Sequence, residues 1–325
     1  MKPTTDFQSV CDAAERIHGY AHKTAVIESR SLNRYFGARI RFKCEHMQVI
    51  NAFKFRGAFN ALSQLSEDQR ERGVITYSSG NHAQAIAKAA AILNIDATIV
   101  MPSNVPSIKL AGVKAQGARM EFYDPDTEFR EEVAERINAD NSMTLIPPFN
   151  HPDVIAGQGT AALELLNDYP ETNQILVPCG GGGLLAGTLL ASSGVNPSCE
   201  VYGVEPDNAD DAKQSLEQGK IISIDYPDTI ADGVRTLELG SITFEIIKHN
   251  VSGIVSVSED AIKTALSTLS FHFKQWLEPS AVLGFAALLE NKITVGSHVG
   301  IILSGGNADI HSIETILSNY EPIKL

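Results

Sequence analysis

One lysine of the sequence lies between two aromatic side chains, since Phe53 and Phe55 flank Lys54. A lysine drawn into an apolar pocket loses its hydration, so its charged form becomes costly and its pKa falls. Such an amine is nucleophilic near neutral pH and can form a Schiff base. The alternative is a lysine whose aliphatic stem covers the core while its ammonium group stays in water. Taken alone, the segment Asn51–Leu62 favours this alternative.

Four consecutive glycines, Gly180 to Gly183, stand between a predicted buried strand and a predicted helix. Each glycine costs chain entropy on folding, and one or two would suffice for a turn. A run of them lets successive backbone N–H groups point at one spot, with the positive end of a helix behind them. The run matches neither the P-loop nor the dinucleotide fingerprint. It therefore predicts a phosphate-binding loop of another kind.

Two further segments place small polar residues at predicted strand ends. In SSGNHAQA, Ser79 and Asn81 face outward at the start of a helix, where a carboxylate would bind well. A plain helix cap explains this segment about equally well. In LSGGNAD, Ser304 ends a buried strand and two glycines permit close approach of another group. Ligands of parallel sheets bind at such ends, which favours a binding role over a simple turn.

Strand and helix patterns alternate along most of the chain. Strands are predicted at Ala38–Glu45, Gly73–Ser79, Asp96–Pro102, Ala118–Asp124, Met143–Pro148, Gln174–Cys179, Glu200–Pro206 and His298–Gly306. Helices are predicted at 5–18, 53–65, His82–Asn94, Ser107–Gly117, Phe129–Asp140, Gly157–Asn167, Thr243–Lys248, Glu259–Gln275 and after the glycine run. This alternation predicts an α/β fold with open, mainly parallel sheets and helices on both faces. Without a Gly/Ser-rich linker, the two units should share chain segments and enclose a cleft.

Composition narrows the classes of function. The chain has 325 residues, 43% of them hydrophobic, and 26 basic against 39 acidic side chains give a net charge of −13. This length suits two domains, and this charge argues against a nucleic-acid partner. No signal-like or membrane-length apolar run occurs, so we expect a cytoplasmic protein with no membrane contact. The cysteines lack a CxxC pattern and should be free thiols: Cys11, Cys44, Cys179 and Cys199.

Pyridoxal phosphate would account for these features together. They are an apolar niche for a lysine, a phosphate-binding loop, a strand end that suits a carboxylate and a polar residue at another strand end. The chain resembles the fold-type II pyridoxal-phosphate enzymes, in particular the group of serine/threonine dehydratases and serine racemases. The resemblance runs from Ile17 to Asp309 through FKFRGA, SSGNHAQA, VIAGQGTAALE, GGGGLLAG, EPDNADD, TIADG, LEPS and LSGGNAD. It implies a large cofactor-binding domain over 1–64 and 151–325 and a small mobile domain over 73–150.

The resemblance also implies the cofactor site. Lys54 would be the Schiff-base lysine, and Ser304 would meet the pyridine nitrogen without protonating it, which suits elimination. The residues implied to hold the cofactor are Phe53, Lys54, Asn81, Gly180, Gly181, Gly182, Gly183, Leu184, Gly233, Glu278 and Ser304. Glu278 could equally be a core residue that caps its own turn.

For the reaction, the resemblance implies an ammonia-lyase (dehydratase) acting on L-serine, L-threonine or threo-3-hydroxyaspartate. The alternative is a serine or aspartate racemase with side elimination activity, in which Ser79 would be the second acid/base. A third possibility is a relic that binds pyridoxal phosphate or an amino acid without turnover, against which the intact Lys54 and glycine run speak. The residues implied to bind substrate are Ser78, Ser79, Asn81, His82, Arg130 and Thr236. Arg130 could equally be a solvated helix residue.

The segment EPDNADD resembles the divalent-cation site of the racemase-like group. It implies Glu205, the Ala209 carbonyl and Asp211 as ligands, and oxygen ligands suit Mg²⁺ or Ca²⁺. Read from the residues alone, the segment is a solvated acidic loop.

The chain departs from its relatives just before the lysine. They carry a glycine where Asn51 stands, and Asn51 could adopt a left-handed conformation there or reshape access of the substrate. Ala52 resembles the racemase and 3-hydroxyaspartate dehydratase branch. The chain ends at Leu325 without the regulatory domain of biosynthetic threonine dehydratases, so we expect no isoleucine feedback. A homodimer is expected from the resemblance.

Overall fold

The computed structural model describes residues 5–105 and 107–324. Its strands are β1 Val26–Glu28, β2 Arg39–Lys43, β3 Val74–Tyr77, β4 Ala97–Pro102, β5 Arg119–Tyr123, β6 Thr144–Leu145, β7 Gln174–Pro178, β8 Glu200–Pro206, β9 Gly253–Val257 and β10 His298–Ile302. Its helices are α1 Phe7–Ile17, α2 Arg30–Phe36, α3 Lys54–Ser63, α4 Glu67–Arg72, α5 Asn81–Leu93, α6 Ser107–Lys114, α7 Arg130–Asn138, α8 Pro152–Asp168, α9 Gly183–Val195, α10 Asp211–Gln218, α11 Ser241–Asn250, α12 Glu259–Phe273, α13 Leu283–Leu289 and α14 Ile310–Asn319.

The larger sheet has the strand order β1-β2-β10-β7-β8-β9. Only the short edge strand β1 runs antiparallel to its neighbour; the other pairings are parallel. In this register Ile301 pairs with both Phe42 and Leu176. Because the carboxyl ends of parallel strands meet at one edge, Ser304 after β10 and Gly180 after β7 emerge side by side.

The smaller sheet is wholly parallel, in the order β5-β4-β3-β6. Successive side chains of a strand point to opposite faces. Val74 and Ile99 accordingly pack in the cluster that contains helices α3 and α5, whereas Ile75 and Val100 pack against α7. Ser78 follows β3 at the carboxyl edge of this sheet, so the second polar segment also lies at a strand end.

Helix α8 is packed closely between α3 and α9. A Cβ atom added at Gly157 would lie 2.6 Å from the Cα of Gly57 in α3, and one at Gly187 in α9 would lie 2.5 Å from the backbone nitrogen of Gly159. Only glycine permits these approaches. The helix that begins with Lys54 and the helix that follows the glycine run are thus held against one common helix.

Four charged side chains form a buried cluster, the Arg56 cluster: Arg56, Glu45, Glu164 and Lys43. Arg56 donates to both carboxylate oxygens of Glu45, at 2.7 and 2.8 Å, and to both of Glu164, at 2.8 and 2.9 Å. Lys43 donates to Glu164 at 2.5 Å. Two positive charges balance two negative ones, and the cluster joins α3, α8 and the end of β2.

The sequence prediction of an α/β fold with mainly parallel sheets is confirmed, and most predicted elements differ only at their ends. The prediction omitted α2, α4, β1, α10, β9 and α13, and the helix expected in the tail corresponds to α14. Helix α13 was missed because LGFAALL is apolar all round and shows no periodicity. Strand β6 has only two residues, since Pro147 and Pro148 cannot donate to a ladder. The domain limits stay a prediction, and their outer ends at residues 1 and 325 lie outside the described residues.

Replacement of Arg56 by methionine tests the cluster. The variant leaves the fully buried Glu45 without its guanidinium partner, and the half-buried Glu164 with one cation fewer. We therefore expect a loss of roughly 3–5 kcal/mol in the free energy of unfolding. Chemical denaturation of wild type and variant measures it. The double variant Glu45→Met/Arg56→Met restores charge balance and should recover part of the loss. Glu28→Gln, which breaks the exposed pair with Arg39, is the matched control and should change little. An equal effect of both single variants would contradict the prediction.

Candidate active site

Lys54 is the first residue of α3, and it is half-buried. The Nζ atom donates to the carbonyl oxygen of Pro148 at 2.8 Å and lies 5.1 Å from the centre of the Phe53 ring. Burial lowers the pKa of Lys54 from 10.5 to about 8, and the carboxylate of Glu278 partly opposes that shift. A useful fraction of neutral amine is therefore present slightly above neutral pH.

The residues before α3 are hydrogen-bonded to the segment that follows β10. The Phe53 N–H donates to the carbonyl oxygen of Ser304 at 3.1 Å, and Ala52 forms an isolated antiparallel bridge with Gly305. A Cβ atom at Gly305 would lie 2.5 Å from a carboxylate oxygen of Glu278. Lys54, Ser304 and Glu278 are thus brought together although they are far apart in sequence.

The glycine run Gly180–Gly183 forms a loop that closes on the start of α9. Gly182 has a φ of +87°, which favours glycine, and Cβ atoms at Gly180 and Gly181 would lie 3.0 Å from the Val234 Cα and 2.4 Å from the Phe149 ring. Thr243 donates to the Gly181 carbonyl oxygen at 2.8 Å, which orients the peptide. The loop leaves room for backbone N–H groups to approach an anion, and it fits a phosphate. The predicted neighbour Leu184 is buried behind it.

Asn81 and Glu278 face each other across the two sheets. The Asn81 Nδ2 donates to both carboxylate oxygens of Glu278, at 3.2 and 3.1 Å. Gly233 lies beside them, since a Cβ atom there would be 3.3 Å from a Glu278 oxygen, and its N–H donates to Ser280 at 2.8 Å. The structure therefore groups three of the predicted cofactor residues.

His82 is buried next to Asn81. Its Nε2 lies 3.0 Å from the carbonyl oxygen of Ile146, which accepts only, so the ring proton is on Nε2. Burial, with the nearby Lys54 charge, lowers the pKa of His82 to about 3 and keeps the ring neutral. Its Nδ1 is then an acceptor. The group of His82 that suits a carboxylate is thus its backbone N–H in the first turn of α5.

The other predicted substrate residues differ in position. Ser78 accepts from the Gly80 N–H at 3.3 Å, and half-buried Ser79 follows it before α5. Thr236 lies at the glycine loop, where its buried Oγ1 has no hydrogen-bond partner and would be 3.3 Å from a Cβ at Gly180. Arg130 is not brought into contact with them: it pairs with Glu131 at 2.8 Å and lies 5.5 Å from the centre of the Tyr77 ring.

The acidic segment lies behind the glycine loop. Glu205, the penultimate residue of β8, accepts from the N–H groups of Ala212 and Lys213 at 3.0 and 2.9 Å. Both carboxylate oxygens of Asp211 are buried without a partner, and burial raises the pKa of Asp211 to about 7. Burial and these two carboxylates raise the pKa of the Cys179 thiol. Over residues 5–105 and 107–324, no group of three or more His, Cys, Asp or Glu side chains is placed to hold a metal ion.

Sequence reasoning missed the segment Pro148–Asn150. The Pro148 carbonyl receives the lysine hydrogen bond, the Phe149 ring covers the glycine loop, and the Asn150 Oδ1 accepts from the Ile242 N–H at 2.8 Å. The signal was available, because the segment directly follows strand β6 at the carboxyl edge of its sheet.

The turn before Lys54 has two consecutive left-handed residues. Asn51 has a φ of 56°, one of the two possibilities left open by the sequence, and Ile50 has a φ of 61°, which was not expected. A β-branched residue rarely adopts such a conformation. The segment where the resemblance implies a departure thus has an unusual backbone.

Comparisons with known proteins place these features in context. The model of the family "Pyridoxal-phosphate dependent enzyme" matches residues 17–305. The L-threo-3-hydroxyaspartate ammonia-lyase of Saccharomyces cerevisiae is 48% identical over 316 residues, which cover 97% of each chain. The serine racemase of Schizosaccharomyces pombe is 47% identical, over 97% of this chain and 98% of its own. The structure of maize serine racemase superimposes with a TM-score of 0.93 at 39% identity, over 97% and 98% of the two chains.

Stability against pH tests the environment of Lys54. Below pH 8 the amine carries a charge in both the folded and the unfolded protein, and the fold bears the full cost of burying it. Between pH 8 and 10.5 the folded protein has lost this proton and the unfolded one keeps it, so stability rises with pH on this account. We therefore expect cofactor-free Lys54→Met to be more stable than wild type at pH 7, by a margin that shrinks by up to about 1.4 kcal/mol per pH unit across this window.

Thermal unfolding of the cofactor-free proteins from pH 6.5 to 10.5 measures this difference. Lys220→Met, at an exposed position, is the matched control for the loss of one ammonium group. A difference between wild type and Lys54→Met that stays constant with pH would contradict the assigned environment.

Proposed function

Because the chain belongs to the fold-type II pyridoxal-phosphate dependent enzymes, we propose that it is an ammonia-lyase that converts small β-hydroxy amino acids to 2-oxo acids and ammonia. The candidate substrates are L-serine, L-threonine and threo-3-hydroxyaspartate. The buried Lys54 amine, held beside the glycine loop and the end of β10, is the observation that carries the proposal. The name and 48% identity of the yeast ammonia-lyase support the choice of reaction.

The residues around Lys54 fit pyridoxal phosphate. When bound, this cofactor withdraws electrons from the α-carbon of an attached amino acid and so acidifies its proton. The glycine loop and Leu184 would hold its phosphate, Phe53 would pack beside its ring, and Ser304 would meet its ring nitrogen. A neutral hydroxyl there does not supply a proton to that nitrogen, and this favours elimination over reactions that need a stronger electron sink. Asn81, Gly233 and Glu278 would line the remaining edge.

Lys54 is the proposed general base. Its amine, with a pKa of about 8, is neutral often enough near neutral pH to accept the α-proton, and the Pro148 carbonyl holds Nζ in place. Protonated Lys54 then lies close to the carboxylate of Glu278, which stabilises its charge.

The first turn of α5 is the proposed site of the substrate carboxylate. The backbone N–H groups of Asn81 and His82 point out of the helix start, and the hydroxyl groups of Ser78 and Ser79 adjoin them. The neutral ring of His82 leaves this site without a second charge to repel Lys54. We propose that Thr236 and Arg130 contact the substrate at the periphery of the site. To reach the substrate, Arg130 would have to break its hydrogen bond with Glu131.

The second candidate is an amino-acid racemase with side elimination activity. The S. pombe and maize relatives bear the name serine racemase. This reaction needs a second acid/base on the face opposite Lys54, and Ser79 is the residue proposed for it. The same fold therefore serves both candidates, and only products distinguish them.

A divalent cation is proposed for the acidic segment. The two partnerless oxygens of buried Asp211 fit Mg²⁺ or Ca²⁺, with Glu205, the Ala209 carbonyl and water as further ligands. With only two carboxylates, the site would be of moderate affinity. A homodimer and a cytoplasmic location stay predictions.

Product analysis tests the function. The protein loaded with pyridoxal phosphate is incubated with L-serine, L-threonine and L-threo-3-hydroxyaspartate, and 2-oxo acid and D-amino acid are measured together. We expect 2-oxo acid and ammonia as main products, and an absorption band near the visible edge that Lys54→Ala removes. A dominant D-amino acid, abolished by Ser79→Ala while elimination persists, would instead establish the racemase. Absence of the band would refute both candidates.

Cation binding is tested by melting temperature. We expect Mg²⁺ or Ca²⁺ to raise the melting temperature of metal-stripped wild type, since a cation would satisfy the Asp211 oxygens. Asp211→Asn should abolish the rise, whereas Asp210→Asn, one position before it, should retain it. An unchanged melting temperature after EDTA treatment and cation addition would exclude the site.

A further inference from the structure

Asn307 connects the two left-handed residues before Lys54 to the start of α5. Its Nδ2 donates to the carbonyl oxygen of Ile50 at 2.7 Å and to the Oδ1 of Asn81 at 2.9 Å. Both N–H groups of the Asn307 amide thus donate hydrogen bonds. One reaches the turn before α3, and the other reaches the start of α5. This residue has no part in the function proposed above.

The direction of these hydrogen bonds is fixed by chemistry. A backbone carbonyl only accepts, so Asn307 must present Nδ2, and not Oδ1, to Ile50. Asn81 must then present Oδ1 to Asn307, which leaves its Nδ2 for the carboxylate of Glu278 at 3.1 and 3.2 Å. Reversal of any amide would set oxygen against oxygen. The orientation of the Asn81 amide is therefore fixed from two sides, by the carboxylate of Glu278 and, through Asn307, by the carbonyl of Ile50.

The turn that supplies this carbonyl is held in place by its neighbours. The Asn51 N–H donates to the Gln48 carbonyl oxygen at 2.7 Å, and the Gly306 N–H donates to the Asn51 carbonyl oxygen at 2.9 Å. Left-handed backbone at the β-branched Ile50 is strained and persists only where surrounding contacts determine it. Contacts with residues 306 and 307 are among them. The loop after β10 thus imposes one conformation on the turn and uses its carbonyl.

From this geometry we infer that Asn307 is a positioning residue: it fixes the Asn81 amide with Nδ2 toward the cofactor pocket and Oδ1 away from it. The inference rests on the proposed function, because Asn81 is placed there beside pyridoxal phosphate. Asn307 acts through Asn81, while its hydrogen bond to the Ile50 carbonyl holds its own amide in place, and it need not touch cofactor or substrate itself. On this inference, the unusual backbone at Ile50 and Asn51 helps to orient the side chain of Asn81 in the proposed cofactor site.

The test measures the dissociation constant of pyridoxal phosphate by absorbance titration of cofactor-free protein. Asn307→Ala removes two hydrogen bonds and should weaken binding roughly three- to tenfold. Asn307→Asp keeps the volume but sets a carboxylate against the Ile50 carbonyl and the Asn81 Oδ1, so it should weaken binding more than alanine does. Asn319→Asp, the same chemical change at an exposed helix position, is the matched control and should bind as wild type does.

A double-mutant cycle separates positioning from packing. If Asn307 acts through Asn81, then Asn307→Ala should weaken binding less than twofold in an Asn81→Ala background. Effects of the two alanine changes that multiply, or Asn307→Asp binding as tightly as wild type, would overturn the inference. The cycle needs only alanine variants, so it decides the question even where the aspartate variant does not fold. Wild type that fails to bind pyridoxal phosphate would refute the proposed function, whereas wild-type binding with unaffected variants refutes this inference alone.

Discussion

The buried Arg56 cluster is the constraint on which the site depends. Arg56 lies two residues after Lys54 in α3 and pairs with carboxylates from the segment after β2 and from α8. A fully buried guanidinium cannot shift without breaking several charge-assisted bonds, each stronger than a neutral hydrogen bond. The cluster therefore fixes the rotation of α3 relative to β2 and α8. Only with that rotation fixed does Lys54, on the other side of the first turn, stay in its apolar niche beside Pro148.

Parallel-sheet topology explains how residues so distant in sequence meet. Ser304 and the glycine run follow neighbouring strands of the larger sheet, and Ser78 to Asn81 follow a strand of the smaller sheet. All leave their strands at the carboxyl edge, so the two edges face each other across Lys54. The contact of Asn81 with Glu278 joins the two sides directly. Each side supplies backbone N–H groups, from the first turn of α5 on one and from the glycine run on the other.

The role of a residue could be predicted from the sequence where that role depends on its immediate neighbours in the chain, and not where it depends on tertiary contacts. The glycine run and the polar strand ends could be identified as candidate binding segments, because residue type and backbone geometry suffice to indicate an anion site or the ligand-binding edge of a sheet. A left-handed Asn51 was one of two possibilities that the residue type left open. Ile50 was not, because nothing local favours that conformation; the loop at 306 and 307 imposes it. Pro148 and Asn307 were missed because each acts through one carbonyl or amide that only the tertiary fold brings near. The Arg56 cluster likewise depends on α8, over a hundred residues further on.

The electrostatics of the pocket limit what chemistry it can support. Lys54 and His82 lie close to each other, and two charges there would repel in a medium of low dielectric. Burial and the Lys54 charge lower the pKa of His82, so its ring stays neutral, although its hydrogen bond to the Ile146 carbonyl opposes this shift. In the proposed function Lys54 is the base, and the nearby carboxylate of Glu278 favours its protonated form. For the racemase candidate, the second acid/base proposed is the hydroxyl of Ser79. If that proposal holds, the balance between elimination and racemisation depends on proton exchange at this one hydroxyl, since both reactions share the same fold.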